Sequence, residues 1–371
     1  MVISMKKLMG IATQVLLILG IVVLQIFCFR TDAMAQEVLN VGRGYRSLAL
    51  GNTGVASATD SAALYYNPAI LGNVEGWWFD YGAWTVEGSQ GFTEIEAGLG
   101  LASINFPYVN REGITEDMKE TFLSKENPYL RANAGMNLFI NFARQGFTVA
   151  GSYLQEAVYT TTVVDGATNI YQRDDVVQKV GLSIPIGMGQ LVIGVTGNRI
   201  ERRVAQDATT DTIPNWSDRY VGTGYDVGIL YRMATVLHVT WGVAVLNYGG
   251  IKFGDSDIEE PQQIALGMSI NHDLGLIRLF PAIDVRQINA ESGKVNTVHA
   301  GLEVGIFPNS TGGNYLTYRV GYNQGNSTQG VELNFFNRNF VFGVTQYGEE
   351  VGQGEEKVEN RRTIAFMSFG F

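Results

Sequence analysis

From about Trp77 to Phe371 the chain is written in period two, and that alternation limits what it can become. In "VLHVTWGVAVL", Leu237, Val239, Trp241, Val243 and Val245 share one strand face, while His238, Thr240, Gly242 and Ala244 share the other. The division returns in "IRLFPAIDVR", where Ile277, Leu279, Pro281, Ile283 and Val285 oppose Arg278, Phe280, Ala282, Asp284 and Arg286. It returns again in "VHAGLEVGI", with His299 and Glu303 on the polar face, and in "VELNF", with Glu332 and Asn334 there. One such strand fits a soluble sandwich equally well, so the length and number of segments decide. Candidates lie near 75–86, 91–106, 131–141, 145–163, 171–185, 189–206, 219–232, 236–247, 261–270, 276–289, 295–307, 313–322, 327–335, 339–348 and 360–371. Soluble strands average about 5–6 residues, whereas a tilted membrane-crossing strand needs about 9–11. In hydrocarbon no backbone N–H or C=O can stay unpaired, so a sheet with an apolar outer face must close. The expectation is an all-β fold, a transmembrane antiparallel β-barrel. Single-chain barrels of the bacterial kind have an even strand number. The segment at 75–86 stands apart and is set aside, leaving about 14 strands.

The N-terminus supports an exported protein. Lys6 and Lys7 precede an apolar run from Leu8 to Phe29, and Ala33, Met34 and Ala35 follow. That order matches a signal peptide at 1–35, cleaved before Gln36; the run is also long enough for an uncleaved anchor. Cys28, the single cysteine, lies in this leader, so the mature chain has no disulfide, thiolate nucleophile or cysteine metal site. The net charge is −10, and loss of Lys6, Lys7, Arg30 and Asp32 makes it −12. Such a surface excludes nucleic acid as a natural partner. The 45 glycines, 17 tyrosines and 19 phenylalanines suit strands and membrane interfaces better than helices.

"NYGG" (Asn247–Gly250) and "NHDLG" (Asn271–Gly275) read as hairpin turns. The polar stretches 107–130, 207–218, 248–260 and 348–360 read as loops, the first with a short helix around Thr115–Leu123. The last segment, "RRTIAFMSFGF", places Thr363, Ala365, Met367, Phe369 and Phe371 on one face. It resembles the terminal strand of outer-membrane proteins, in which a final Phe is read by the barrel assembly machinery.

A second motif precedes the strands. "GRGYRSLALGNTGVASATDSAALYYNPAILGNVEG", Gly42–Gly76, resembles the N-terminal segment of the family that joins long-chain fatty-acid outer-membrane transporters to relatives in type IX secretion. Leu48, Gly51, Gly54, Asp60, Ala63, Leu64, Tyr65, Asn67, Pro68, Ala69 and Leu71 fall on the family's positions, whereas Tyr66 and Ile70 replace a frequent Trp and Gly. The likeness continues through "YDVGILYR", "GVAVLNYGGIKFGD", "PQQIALGMSI" and "YRVGYNQG". It implies a plug segment at 36–74, folded into the lumen of a barrel at 75–371, with Gly51, Gly54, Asp60, Asn67, Pro68 and Ala69 as plug residues. The residues agree: Pro68 donates no ladder bond and pushes Asn67 away from the helical region. Ala62–Leu64 can start a short helix capped by Thr59 or Asp60.

Inward positions offer Asp226, Arg232, Arg278, Asp284, Arg286, His299, Glu303 and Glu332 as lumen contacts, either for a solute or for an internal ion-pair network. An arginine there can take a carboxylate head by bidentate bonding. His238, His272 and His299 lie on separate segments without metal spacing, and no catalytic residues or cofactor motif stand out. Two functions remain. One is a passive transporter of long-chain fatty acids or other hydrophobic small molecules in contact with outer-membrane lipid. The other is a non-transporting barrel that serves secreted proteins as a secretion or surface-anchoring partner.

Overall fold

The computed structural model describes residues 41–73, 76–89, 104–105, 108–109, 128–142, 146–164, 167–187, 189–207, 217–234, 237–256, 258–289, 298–308, 313–336, 339–351 and 358–370. The leader, the expected helix at 115–123 and Phe371 lie outside the described residues.

Fourteen strands form the wall. They are β1 (Trp77–Ser89), β2 (Tyr129–Phe142), β3 (Phe147–Val164), β4 (Ala167–Ile186), β5 (Leu191–Asp207), β6 (Tyr220–Arg232) and β7 (Val239–Leu246). There follow β8 (Gln263–Ile270), β9 (Ile277–Val285), β10 (Val298–Pro308), β11 (Asn314–Asn323), β12 (Asn326–Phe335), β13 (Phe340–Val351) and β14 (Val358–Gly370). Each pairs antiparallel with the next. The ring shuts where β14 meets β1, from Ser89↔Arg362 to Asp80↔Gly370, so no edge is left open.

The strand number agrees with expectation, but the membership differs. The segment set aside at 75–86 is β1 and closes the barrel. Its alternation is hidden by a register slip between Asp80 and Gly82, a bulge that breaks the period of two. The candidate at 91–106 supplies no wall strand among the described residues, where Ile104–Asn105 pairs with Tyr108–Val109.

The faces are those of a membrane barrel. Along β7, Trp241 and Val243 are 50% and 39% exposed while Gly242 and Ala244 are buried. Along β6, Val227 and Ile229 point outward and Asp226 is fully buried. A soluble protein would pay about 25 cal/mol for each Å² of that apolar wall left in water. Acyl chains remove the penalty. Trp77, Phe142, Tyr231, Phe335 and Phe336 are exposed near one end, as in an interfacial aromatic girdle.

The two ends are unequal. Short turns close the β2–β3, β4–β5, β8–β9 and β12–β13 hairpins at one end, and the long connections gather at the other. Asn271–Gly275 is a hairpin turn as expected. Asn247–Gly250 is not: it opens an excursion in which Ile251–Lys252 pairs with Glu259–Glu260. Ile251 and Phe253 of this excursion are fully buried against Gly222 and Gly224 of β6, so the loop turns into the barrel mouth instead of lying over it.

Candidate functional site

The described N-terminal residues, 41–73, lie inside this ring. They form a five-residue helix α1 (Tyr45–Ala49), a one-turn helix α2 (Ala63–Tyr66) and a 3-10 turn, Pro68–Asn73. Helix α2 starts where Ala62–Leu64 suggested, but its N-cap is Ala62 without a side-chain cap bond, and Asp60 Oδ1 instead accepts the N–H of Ala62 itself at 3.2 Å. Asn67, ahead of Pro68, is extended at φ −163° and ψ 110°. Its amide then knots the segment together: Nδ2 donates to the Val55 carbonyl at 2.7 Å, and Oδ1 accepts the Ala69 N–H at 3.0 Å. The "YYNPA" run is thus a bend tied to a strip of chain twelve residues earlier.

Inward glycines make room for it. Gly194 and Gly228 face each other across β5 and β6, Gly242 and Gly267 across β7 and β8, Gly301 and Gly321 across β10 and β11. A Cβ at Gly194 would strike Pro68 and Ala69; at Gly242, Val55; at Gly301, Leu50; at Gly321, Gly51. The internal segment rests directly on wall backbone. Gly51 itself adopts φ +72° against the Ala300 and Tyr322 carbonyls, a place no side chain fits.

Polar side chains of the wall complete the seat. Asp284 Oδ2 accepts the N–H groups of Gly54 at 2.6 Å and Val55 at 2.9 Å. Glu303 Oε2 receives Arg46 Nε at 2.9 Å and Arg319 Nε at 2.7 Å, and Arg319 Nη2 reaches Glu332 at 2.8 Å. The Tyr45 hydroxyl donates to Glu332 at 2.8 Å. His299 Nδ1 lies 3.2 Å from the Gly51 carbonyl. Asp226 accepts from Lys179 at 3.0 Å and Asn198 at 2.9 Å, and Lys179 also donates to the Leu64 carbonyl.

Two expected lumen residues stand apart from this group. Arg232 bonds Asn73 and the Gly189 carbonyl at the short-turn end. Arg278 pairs with Asp273 at 3.3 Å within its own hairpin. The Gly275 N–H, with help from Arg278 and against slight burial, holds the Asp273 carboxyl below its ordinary value.

Sequence inspection missed a second chain of charges near the long-loop end. Arg131 of β2 lies between Glu87 of β1 and Glu156 of β3. Arg173 of β4 bonds Glu156 at 3.0 Å and its neighbour Asp175 at 3.0 Å. Arg202 of β5 reaches Asp175 at 2.7 Å and Glu260 of the mouth excursion at 2.7 Å. The available signal was charge at alternate positions inside long strands, but opposite charges meet only once the register is set.

Among the described residues, small cavities lie beside the internal segment. The first, a small cavity of about 40 Å³, is lined by Val41, Tyr65, Tyr66, Ile200 and Leu246, by Arg43, Lys179 and Arg286, and by Asn247, Glu260 and Gln263. Arg43 is matched by Glu349 at 3.0 Å and Lys179 by Asp226. Arg286 is different. Its Nη1 bonds the Asn52 carbonyl at 3.3 Å and side-chain oxygen at 3.0 Å, and its guanidinium lies 4.6 Å from the Tyr66 ring centroid. Among the described residues no carboxylate lies within ion-pair distance of it. The second cavity, about 50 Å³, lies against β1–β3 and is lined by Arg43, Asp60 and Tyr65 of the internal segment and by Thr85, Asn133, Asn137 and Ser152 of the wall.

No protein-family model matches the chain, and no curated protein does. Solved structures do. The toluene transporter TbuX of Ralstonia pickettii superimposes with a TM-score of 0.57 at 14% identity, over 90% of this chain and 98% of that one. The toluene transporter TodX of Pseudomonas putida gives 0.55 at 14% identity, over 92% and 99%. CymD, a monoaromatic hydrocarbon channel, gives 0.54 at 11% identity, over 90% and 98%. At such identities the likeness is one of fold, and it extends over nearly the full length of each.

Proposed function

We propose that this chain is a passive outer-membrane transporter of hydrophobic solutes, long-chain fatty acids among them, and not an enzyme. The observation that carries the proposal is the first cavity, a mixed apolar and polar pocket under the long-loop end in which one buried guanidinium, Arg286, has no carboxylate within ion-pair distance among the described residues. Such a site suits an oily tail with an anionic head. The fold likeness to hydrocarbon transporters supports the same class. Residues 36–74 act as the plug, after removal of the leader at 1–35, and Gly51, Gly54, Asp60, Asn67, Pro68 and Ala69 shape it. Asp284, Glu303 and Glu332 hold plug to wall, Asp226 does so only through Lys179, and Arg286 meets the solute. Outer-membrane lipid surrounds the barrel, and the barrel assembly machinery inserts it.

The test is uptake of a labelled long-chain fatty acid by proteoliposomes, against empty liposomes. Wild-type protein is expected to exceed the empty control, and Arg286→Gln to raise the half-saturating concentration roughly tenfold, the worth of one charge-assisted contact of about 1.4 kcal/mol. The dense ion-pair seat of the N-terminal segment favours the second function, a non-transporting barrel serving secreted proteins. A correctly folded barrel without uptake would leave that one standing.

A further inference from the structure

We propose that the excursion between β7 and β8, residues 247–262, is a hinged lid over the first cavity, latched shut by Glu260 on Arg202. The purpose of the lid rests on the transport function above; its motion does not. The cavity as it stands, about 40 Å³, is far below the roughly 300–1,000 Å³ of a ligand pocket, so a solute enters only after something moves. The stems of the excursion line that cavity through Leu246, Asn247, Glu260 and Gln263. Its body leans on inward glycines of β6: Ile251 and Phe253 are fully buried, and a Cβ at Gly222 or Gly224 would press into Ile251.

A hinge lies at the foot of the excursion. Asn247, Gly249 and Gly250 have φ of +52°, +78° and +79°. Two successive glycines without a Cβ leave the chain free to change direction there. Around them the stems are pinned to the wall. The Asn247 N–H donates to Asp226 Oδ1 at 2.8 Å, the Tyr248 N–H to the Tyr225 carbonyl at 2.8 Å, and the Asn289 amide to the Gln262 carbonyl at 2.7 Å.

The latch is a single arginine of β5. Arg202 Nη2 meets Glu260 at 2.7 Å, and the guanidinium lies 4.8 Å from the Phe253 ring centroid, so it holds both limbs of the excursion. The same guanidinium bonds Asp175 twice, at 2.7 and 2.9 Å. Opening therefore strands no charge inside the protein: Arg202 keeps a carboxylate and Glu260 moves into water. Release of the N-terminal segment would instead strip Asp284 of the two N–H groups it holds within the barrel. Ile251 and Phe253 pack on Leu154, Val177 and Ile200, which keeps the lid down at rest. Swinging them out widens the first cavity on its apolar side, at Ile200.

The experiment uses the full chain with Cys28→Ser, so that Ile251→Cys under the lid is the only thiol. In the folded, detergent-solubilised barrel a charged thiol reagent should label it slowly. Glu260→Gln should accelerate labelling at least about tenfold, since it frees a local opening that the latch opposes. Glu259→Gln, at the exposed neighbour in the same short strand, should leave the rate unchanged. Phe253→Ala removes the other contact with Arg202, should also accelerate labelling, and carries the test if Glu260→Gln does not fold. Rates that ignore both changes overturn the lid, and so does equal acceleration by Glu259→Gln. In proteoliposomes, without the reporter cysteine, Glu260→Gln should raise the initial uptake of labelled fatty acid about threefold, as removal of a gating step does. Uptake that the variant leaves unchanged overturns the lid as the gate. Faster labelling in a barrel that takes up nothing keeps the lid and removes the transport function.

Discussion

At the residue scale the internal charges matter most, because each was bought out of water and is repaid only by its partner. Glu303 faces two arginines, Arg46 from the internal segment and Arg319 from β11. Removing one partner of a buried pair typically costs about 3–5 kcal/mol, because the remaining charge is left uncompensated. Glu303→Gln should therefore lower stability by about that much, read as a fall in the temperature at which the detergent-solubilised barrel loses its compact gel mobility. Glu359, which meets Arg361 at the exposed surface, sets the contrast, since surface pairs are worth about 0–1 kcal/mol. Glu359→Gln should leave that temperature nearly unchanged.

At the element scale, the wall and the internal segment are shaped to each other. The paired glycines are a flat strip on which backbone lies against backbone, and a side chain there removes the seat without touching strand hydrogen bonds. Gly321→Val should leave a closed barrel, because its register with Gly301 is a backbone property. It should expel the stretch around Leu50 and Gly51, since a Cβ at that position would overlap Gly51. Limited proteolysis should then cut between residues 41 and 56 in the variant and spare the wild type. Cleavage confined to the same sites in both proteins would contradict the fit.

For the whole molecule, the outward face fixes where the protein resides. Val243 sits near the middle of β7 and is 39% exposed. An arginine at the midplane of a barrel's lipid face costs about 2–4 kcal/mol, and Val243→Arg should lower folding stability in lipid by that amount. The outward set was legible in the sequence because the strand period is two and needs no tertiary information. Trp241 and Val243, Val331 and Leu333 were assigned correctly for that reason. β1 was not legible, because the slip at Asp80/Gly82 moves the inward set from Asp80 to Ala83, Thr85 and Glu87 and erases the alternation. The Asn247–Gly250 turn was misjudged because the signal for a tight bend does not say whether the next strand rejoins the wall.

The inward residues were legible as a set but not as contacts. Sequence parity placed Asp226, Asp284, Glu303 and Glu332 inside, and the physical demand that such groups find partners was plain. Which partners they find was not. Asp284 lies two residues from Arg286 on the same face, yet it holds backbone N–H groups of Gly54 and Val55 and leaves the guanidinium to Asn52. Local pattern determined the all-β class and the two faces, since these depend on the alternation of neighbours along one chain, whereas the count of fourteen came from the even-number rule for closed barrels and not from the alternation. Closure by β1, the glycine seat, the Glu87 to Glu260 charge chain and the unpaired setting of Arg286 were decided by tertiary structure. Each joins residues from distant strands, and only the register of a closed ring brings them within reach.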